Sequence, residues 1–257
     1  MAMLANTSNN TVFADNKGNI AYWHGNYMPR RDKKLNWSNA VDGTTSATEW
    51  KGLHPVNETV HVYNPATGWI QNCNSTPFTV SGTSSPKKEN YPAYMAPDGE
   101  NFRGINAARV LANENKFTIE KTIAAGYDQK LSAMEVLIPA LVSSFEKNIS
   151  ATDSLYQTLA APIQVLKNWN YYSSENSVAT TLAIEWAQKL TTSIQRVYID
   201  EGWDDQVTLV KKFAATASPQ ELLPPLAAVV KELKNKFGKW QMPWGDVNRY
   251  QRISNDI

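Results

Sequence analysis

The chain has 257 residues, enough for one large or two small domains, with 42% apolar and 19% charged residues, as in ordinary globular proteins. Its net charge of +1 gives no electrostatic basis for binding nucleic acid or an anionic membrane. One cysteine excludes an intramolecular disulfide and a cysteine-based zinc site, and no apolar run is long enough for a transmembrane helix.

The first part of the chain, residues 1–104, is rich in Asn, Gly, Thr, Trp and Pro, which indicates strands and loops. Thr11–Ala14 and Ile20–Trp23 flank a turn-forming sequence, and this arrangement predicts two strands of a hairpin. His61–Tyr63 is predicted to be a short extended segment. The polar stretch Thr79–Glu89 is predicted to be a mobile insertion.

Two asparagines, Asn72 and Asn74, alternate along a short apolar stretch that ends at Pro77. The alternation predicts a strand with both carboxamides on one side and Cys73 on the other, as a small buried residue. A fixed carboxamide at a strand end can donate to a developing oxyanion. Turn propensity alone favours two asparagines that only satisfy backbone groups, so the residues themselves leave both interpretations open.

The second part of the chain, residues 105–257, has apolar residues at helical spacing. Pro139 and Pro162 predict kinks or breaks inside two helices, and Gly238 is predicted to end the last one. The predicted helices are Ile105–Asn113, one capped by Thr118, Ser132–Lys147, Ser154–Asn168 capped by Asp153, Ser177–Ile199, Asp204–Thr216 and Pro219–Phe237.

Six motifs follow one another along the chain: Ala14–Tyr22, Pro29–Arg31, Glu49–Gly52, Asn64–Pro77, Arg103 with Arg109–Leu111, and Trp244–Arg249. In residue types and in order they resemble the penicillin amidase family of N-terminal nucleophile hydrolases. The longest of them resembles the family pattern Asn-Pro-x-x-Gly-x-Ile-x-Asn-x-Asn-x-x-Pro. One such match would carry little weight, whereas six in the same order, over most of the chain, indicate membership.

The resemblance implies hydrolysis of an amide. The family precursor cuts itself and exposes a serine at the new N-terminus of the large chain, and that serine attacks the amide with its own α-amino group as base. An α-amino group suits this role because its pKa lies near neutrality. Asn74 matches the family's oxyanion-hole asparagine, and Arg103 matches the arginine that organises the site. Penicillins, cephalosporin derivatives and N-acyl homoserine lactones are all chemically compatible substrates.

The resemblance also implies an α+β fold, part of the αββα sandwich of these hydrolases, with residues 1–104 carrying Asn74 and residues 105–257 forming the helical part. The chain matches the central part of the large chain, and the nucleophilic serine is expected outside it. The expected partners are the small chain and the serine-bearing part of the large chain, in a periplasmic or secreted bacterial enzyme. Asn248 stands where the family usually has a histidine.

Other candidate residues receive simpler interpretations. Ser8, Ser38 and Ser75 have no His-Asp arrangement or nucleophile elbow around them and are interpreted as solvated loop serines. No cofactor is expected in this chain, although the resemblance implies calcium in some complete family members. Its ligands lie partly upstream, and the nearby acidic residues are better interpreted as a solvated loop: Glu89, Asp98 and Glu100.

Two alternatives from other classes remain. One is a non-catalytic scaffold or interaction protein that kept the fold and lost the nucleophile segment. The other is a carbohydrate- or peptide-binding module, indicated only by the number of Trp and Asn residues.

Overall fold

The computed structural model describes residues 9–25, 27–201 and 205–249. It consists of two compact units, of which the first ends at Gly126 and the second begins at Tyr127. The first unit contains the strands and two helices, and the second is helical. The chain therefore has the expected α+β fold. The division of the sequence at residues 104 and 105 stays a prediction.

The sheet of the first unit is a three-stranded antiparallel meander of β1 (Thr11–Ala14), β2 (Ile20–Trp23) and β3 (His61–Tyr63). The hairpin between β1 and β2 is confirmed. Its turn forms because the Asp15 carboxylate accepts hydrogen bonds from the backbone of Lys17 and Asn19 at 2.9 Å each, the pattern of an Asx-turn. The middle strand packs the buried Tyr22 against Val62 and Val80.

The strand predicted around Asn72 and Asn74 is wrong, because residues 73–75 form a bend and Asn72 is not in a strand. Asn74 has φ of 54°, in the left-handed region, which ends any extended stretch and which asparagine adopts more readily than most residues. The chain then turns back, so that the backbone N–H of Gln71 donates to Val80 O at 2.8 Å. A bend also removes the argument that alternation aligns the two carboxamides.

The mobile insertion predicted at Thr79–Glu89 is also wrong. Short 3-10 turns fill this stretch, and Val80 and Ser81 are buried. The Ser81 hydroxyl donates to Trp69 O at 2.8 Å, and Ser81 N–H donates to the Ser85 hydroxyl at 2.9 Å. Polar residues here satisfy buried backbone groups, so a polar composition did not indicate exposure.

Two helices complete the first unit, α1 (Phe102–Ala112) and α2 (Ile119–Gly126). Helix α1 begins three residues earlier than predicted, because Asn101 caps it by accepting a hydrogen bond from the backbone of Gly104 at 2.9 Å. The cap predicted for α2 is confirmed, since Lys121 N–H donates to the Thr118 hydroxyl at 3.2 Å.

The second unit is built around its longest helix, Pro219–Phe237, which packs against three others: Met134–Asn148, Ser154–Lys167 and Val178–Lys189. It buries one stripe of apolar residues that includes Leu222, Leu226 and Leu233. The helices of this unit are α3 (Met134–Asn148), α4 (Ser154–Lys167), α5 (Val178–Lys189), α6 (Thr191–Glu201), α7 (Gln206–Thr216), α8 (Pro219–Phe237) and α9 (Trp244–Val247). Within the described ranges no helix is long and apolar enough to cross a membrane.

Helix α8 has its predicted bounds, with a capping box at Ser218 and a left-handed Gly238 at its end. The breaks considered at Pro139 and Pro162 do not occur, since α3 and α4 continue through them. At the exposed Pro139, water can satisfy the carbonyl that the proline leaves unpaired.

Other predicted details of the helices differ from the structure. The single helix expected over Ser177–Ile199 is two helices, because the chain tightens at the buried Leu190, whose N–H donates to Ala187 O. Asp153 precedes α4 but accepts from the Ser150 backbone rather than from the helix. Helix α7 is capped by Asp205. Asp204, the predicted start of α7, lies outside the described residues.

Candidate functional site

The two predicted site residues lie side by side. Asn74 in the bend and Arg103 in the first turn of α1 are 29 positions apart, yet Arg103 Nη2 donates a long hydrogen bond of 3.4 Å to Asn74 Oδ1. Both side chains are exposed. Because the guanidinium occupies Oδ1, the carboxamide keeps its Nδ2–H2 donors for another acceptor, and none contacts them in the described part of the chain.

The backbone of the bend is tied to α1 by Asn101. Its Nδ2 donates to Cys73 O at 3.0 Å and to Asn74 O at 3.1 Å, while its Oδ1 caps the helix at Gly104 N. One side chain thus positions both the bend and the helix that carries Arg103. Sequence reasoning missed Asn101, although an asparagine just before an apolar helical stretch is a recognisable cap signal.

Helix α1 approaches the bend most closely at Gly104, which is buried. A Cβ on this residue would lie only 2.6 Å from Ser75 Oγ and 2.6 Å from Glu100 Oε1. A side chain here would therefore push the helix and the bend apart. The interpretation of Ser75 as a solvated serine is wrong, since it is 1% exposed and its Oγ has no partner among the described residues. Ser38 is exposed, and Ser8 lies outside the described residues.

Cys73 is half-buried, less than the sequence pattern predicts. Burial raises the pKa of its thiol; the positive charge of Arg103 opposes this shift, and the negative charge of Glu100 adds to it. A thiol that stays protonated is a poor nucleophile, which agrees with its interpretation as a packing residue.

Two of the acidic residues considered for calcium, Asp98 and Glu100, have other partners. Asp98 Oδ2 lies 3.0 Å from His24 Nε2, and His24 Nδ1 lies 3.0 Å from the Tyr22 hydroxyl. Burial raises the pKa of Tyr22, so its hydroxyl keeps its proton and can donate to Nδ1. The hydrogen bond from His24 to the carboxylate lowers the pKa of Asp98. A His24 ring that donates from Nε2 to the carboxylate and accepts at Nδ1 from the Tyr22 hydroxyl satisfies both contacts.

Glu100 Oε1 accepts from the Asn101 backbone at 2.9 Å. In the part of the chain that the structure describes, no three His, Cys, Asp or Glu side chains gather as metal ligands would. Asp98, Glu89 and Glu100 therefore do not form such a group within these residues. Calcium binding in a complete enzyme stays a prediction.

Other motif residues hold the fold together. Asn64, at φ of 44°, accepts from Ile20 N–H at 2.9 Å and donates to Asn19 Oδ1 at 2.8 Å, which ties the loop after β3 to the hairpin. Near the end of the described chain, Gly245 N–H donates to Glu175 O at 2.7 Å. These contacts give a structural reason for the Asn-Pro and Trp-Gly motifs.

The family model for penicillin amidase matches residues 1–255, and the chain belongs to the penicillin amidase family. Over 68 residues it is 40% identical to the penicillin G acylase of Escherichia coli, a region that covers 26% of this chain and 8% of that protein. Its structure is similar to that of a thermostable penicillin G acylase from Alcaligenes faecalis, with a TM-score of 0.60 and 17% identity. This likeness shows a shared fold.

The solved structure is matched over 91% of this chain and 48% of its own. This chain therefore spans about half the length of the Alcaligenes faecalis protein, and the 68-residue match spans 8% of the Escherichia coli protein.

Proposed function

We propose that the chain takes part in the hydrolysis of acyl amides, with Asn74 as a donor to the oxyanion and Arg103 as the residue that positions it. Family membership supports the reaction class. The observation that carries the assignment of residues is the contact from Arg103 Nη2 to Asn74 Oδ1, which leaves Nδ2 as the free end of an oriented carboxamide.

In the proposed reaction, a serine hydroxyl outside this chain adds to the amide carbonyl, and its own α-amino group takes the proton. The carbonyl oxygen becomes negatively charged, and Asn74 Nδ2 donates to it. The C–N bond then breaks, the amine leaves with the proton, and water hydrolyses the acyl ester. The Arg103 guanidinium fixes the carboxamide, so the donor needs no reorientation when the charge develops.

The proposal extends to the rest of the enzyme by family membership. The chain would be the central part of the large chain, and its partners would be the small chain and the serine-bearing segment. The substrate would be a penicillin, a cephalosporin derivative or an N-acyl homoserine lactone. A periplasmic or secreted location and a calcium ion in the complete enzyme are proposed on the same ground.

The test is to purify the protein from its native cells, determine its intact mass and N-terminal residue, and assay it with the three amide classes. We expect a chain that begins with serine, a smaller partner chain, and release of the amine from at least one substrate. A native chain that begins at Met1 and hydrolyses none of them would contradict the proposal. That result would favour the scaffold, and binding to glycans would favour the binding module.

A further inference from the structure

The first unit contains a pocket of about 440 Å³, which is within the usual size of small-molecule sites. Asn74 and Arg103 do not line it. One part of its lining is cationic and another is aromatic and apolar. The lining residues that matter here are Arg30, Arg31, Lys33, Glu58, Tyr91 and Pro92.

One cation of the pocket is already neutralised. Arg30 Nη2 lies 2.8 Å from Glu58 Oε2, and the same carboxylate oxygen lies 2.8 Å from His54 Nδ1. The hydrogen bond from His54, followed by that from Arg30, lowers the pKa of Glu58, so this carboxylate stays ionised. The other His54 nitrogen, Nε2, lies 3.0 Å from the Tyr94 hydroxyl. This chain of contacts is complete and leaves no negative charge for a second cation.

Two further cations lack a carboxylate partner within the described residues, Arg31 and Lys33. The Arg31 guanidinium lies 5.3 Å from the ring centre of Trp37, 5.5 Å from that of Trp50 and 6.0 Å from that of Tyr94. These rings orient it by cation–π attraction, but they do not neutralise its charge. Its Nε is buried and has no hydrogen-bond partner in the described part of the chain.

We propose that this pocket binds a small organic carboxylate with an apolar body. The surplus positive charge of Arg31 and Lys33 selects an anion. The planar guanidinium, held by three rings, matches a planar carboxylate. The half-buried Tyr91 and Pro92 supply the surface on which an apolar body packs.

The experiment titrates the purified protein with benzoate, with its neutral counterpart benzamide and with inorganic phosphate, and measures binding by calorimetry. We expect benzoate to bind, benzamide to bind at least about tenfold more weakly, and affinity for benzoate to fall as salt is added. Benzamide binding as well as benzoate would overturn the proposal. Phosphate binding as well as benzoate would overturn the part played by the apolar body.

Variants locate the binding. Lys33→Gln and Arg31→Met should each weaken benzoate binding about tenfold, since each removes one charge-assisted contact. Lys33 is exposed, so its variant keeps the test valid if Arg31→Met does not fold.

Lys17→Gln, the same charge change in the exposed β1–β2 turn, is the matched control and should bind normally. Unchanged binding in Lys33→Gln, or an equal loss in Lys17→Gln, would overturn the assignment. The readout is binding, so it does not depend on amide hydrolysis.

Discussion

At the scale of single residues, the proposed site depends on how Asn74 is held. Its left-handed backbone would cost about 1–2 kcal/mol in most residues, and the hydrogen bond from Asn101 to its carbonyl opposes that cost. Arg103 fixes the other end, at Oδ1. Because backbone and side chain are both constrained, Nδ2 is oriented before any substrate arrives, as its proposed role in oxyanion stabilisation requires.

Gly104, where α1 lies closest to the bend that carries Asn74, gives a prediction about stability. Gly104→Ala should lower the free energy of unfolding by about 1–3 kcal/mol, because the new Cβ must displace both Ser75 and Glu100. Urea denaturation measures the loss. Gly126→Ala, whose Cβ meets no described atom within 4 Å, is the control and should be neutral or slightly stabilising. Equal effects of the two substitutions would show that the contact at Gly104 is unimportant.

At the scale of elements, each unit is held by contacts that join segments far apart in the sequence. In the first, His24 just after β2 binds Asp98 in the loop that precedes α1. In the second, α8 presents one apolar stripe to its neighbours, and the Trp186 indole of α5 donates to Leu222 O at 2.9 Å. The contact between His24 and Asp98 depends on ionisation, whereas the packing of α8 is mainly apolar. A change of pH therefore probes the first, and substitutions in the core probe the second.

The contact between His24 and Asp98 predicts a dependence of stability on pH. The pKa of Asp98 is below its ordinary 3.8 in the folded chain, so the folded state binds this proton less tightly than the unfolded state. The contact therefore stabilises the fold above about pH 3.8 and loses its effect as pH falls through the lower, folded pKa.

Asp98→Asn tests this dependence. Its free energy of unfolding should be lower than that of the unmodified chain at neutral pH, and the difference should vanish in strong acid. Chemical denaturation at a series of pH values measures both. Asp42→Asn is a useful comparison, since the pKa of Asp42 is lowered only by hydrogen bonds that the nearby Thr44 donates to its carboxylate. A deficit in Asp98→Asn that stays constant down to strong acid would contradict the ionic origin of the contact.

The apolar stripe of α8 predicts the cost of a cavity. Leu226 is 0% exposed, so Leu226→Ala should lower the free energy of unfolding by about 2–5 kcal/mol. Lys231→Ala on the exposed face of the same helix should change it by no more than about 0.5 kcal/mol. Thermal or urea unfolding compares the two. A Leu226→Ala variant as stable as Lys231→Ala would show that α8 is not the centre of the unit's core.

At the scale of the whole molecule, the sequence predicted what local signals determine. The β1–β2 hairpin, the Thr118 cap and the bounds of α8 depend on neighbouring residues and were confirmed. The family was predicted from the order of its motifs and was also confirmed. The hairpin, the cap and the bounds of α8 can be predicted because each is specified within a few residues, whereas the family is specified by the order of motifs along most of the chain.

Features that depend on distant contacts could not be predicted in this way. The bend at Asn74 is held by Asn101, 27 residues later, and the division of the predicted helix at Leu190 accompanies burial of that residue within its unit. The proximity of Asn74 and Arg103 was implied only by resemblance. The aromatic surroundings of Arg31 bring together residues from separate loops, and no local pattern indicates them.

The most direct test of the proposed function measures kcat of the complete protein with Asn74→Asp and Asn74→Ala. Asp tolerates the left-handed backbone and still accepts a hydrogen bond from Arg103, but it has no N–H to donate, so it separates the donor from the fold. Arg103→Ala is expected to impair turnover as well, because it removes the contact that fixes the carboxamide.

We predict that kcat falls by about two to three orders of magnitude in both Asn74 variants, while their circular dichroism and assembly stay unchanged. Near-normal turnover in both variants would contradict the account and remove Asn74 from the mechanism.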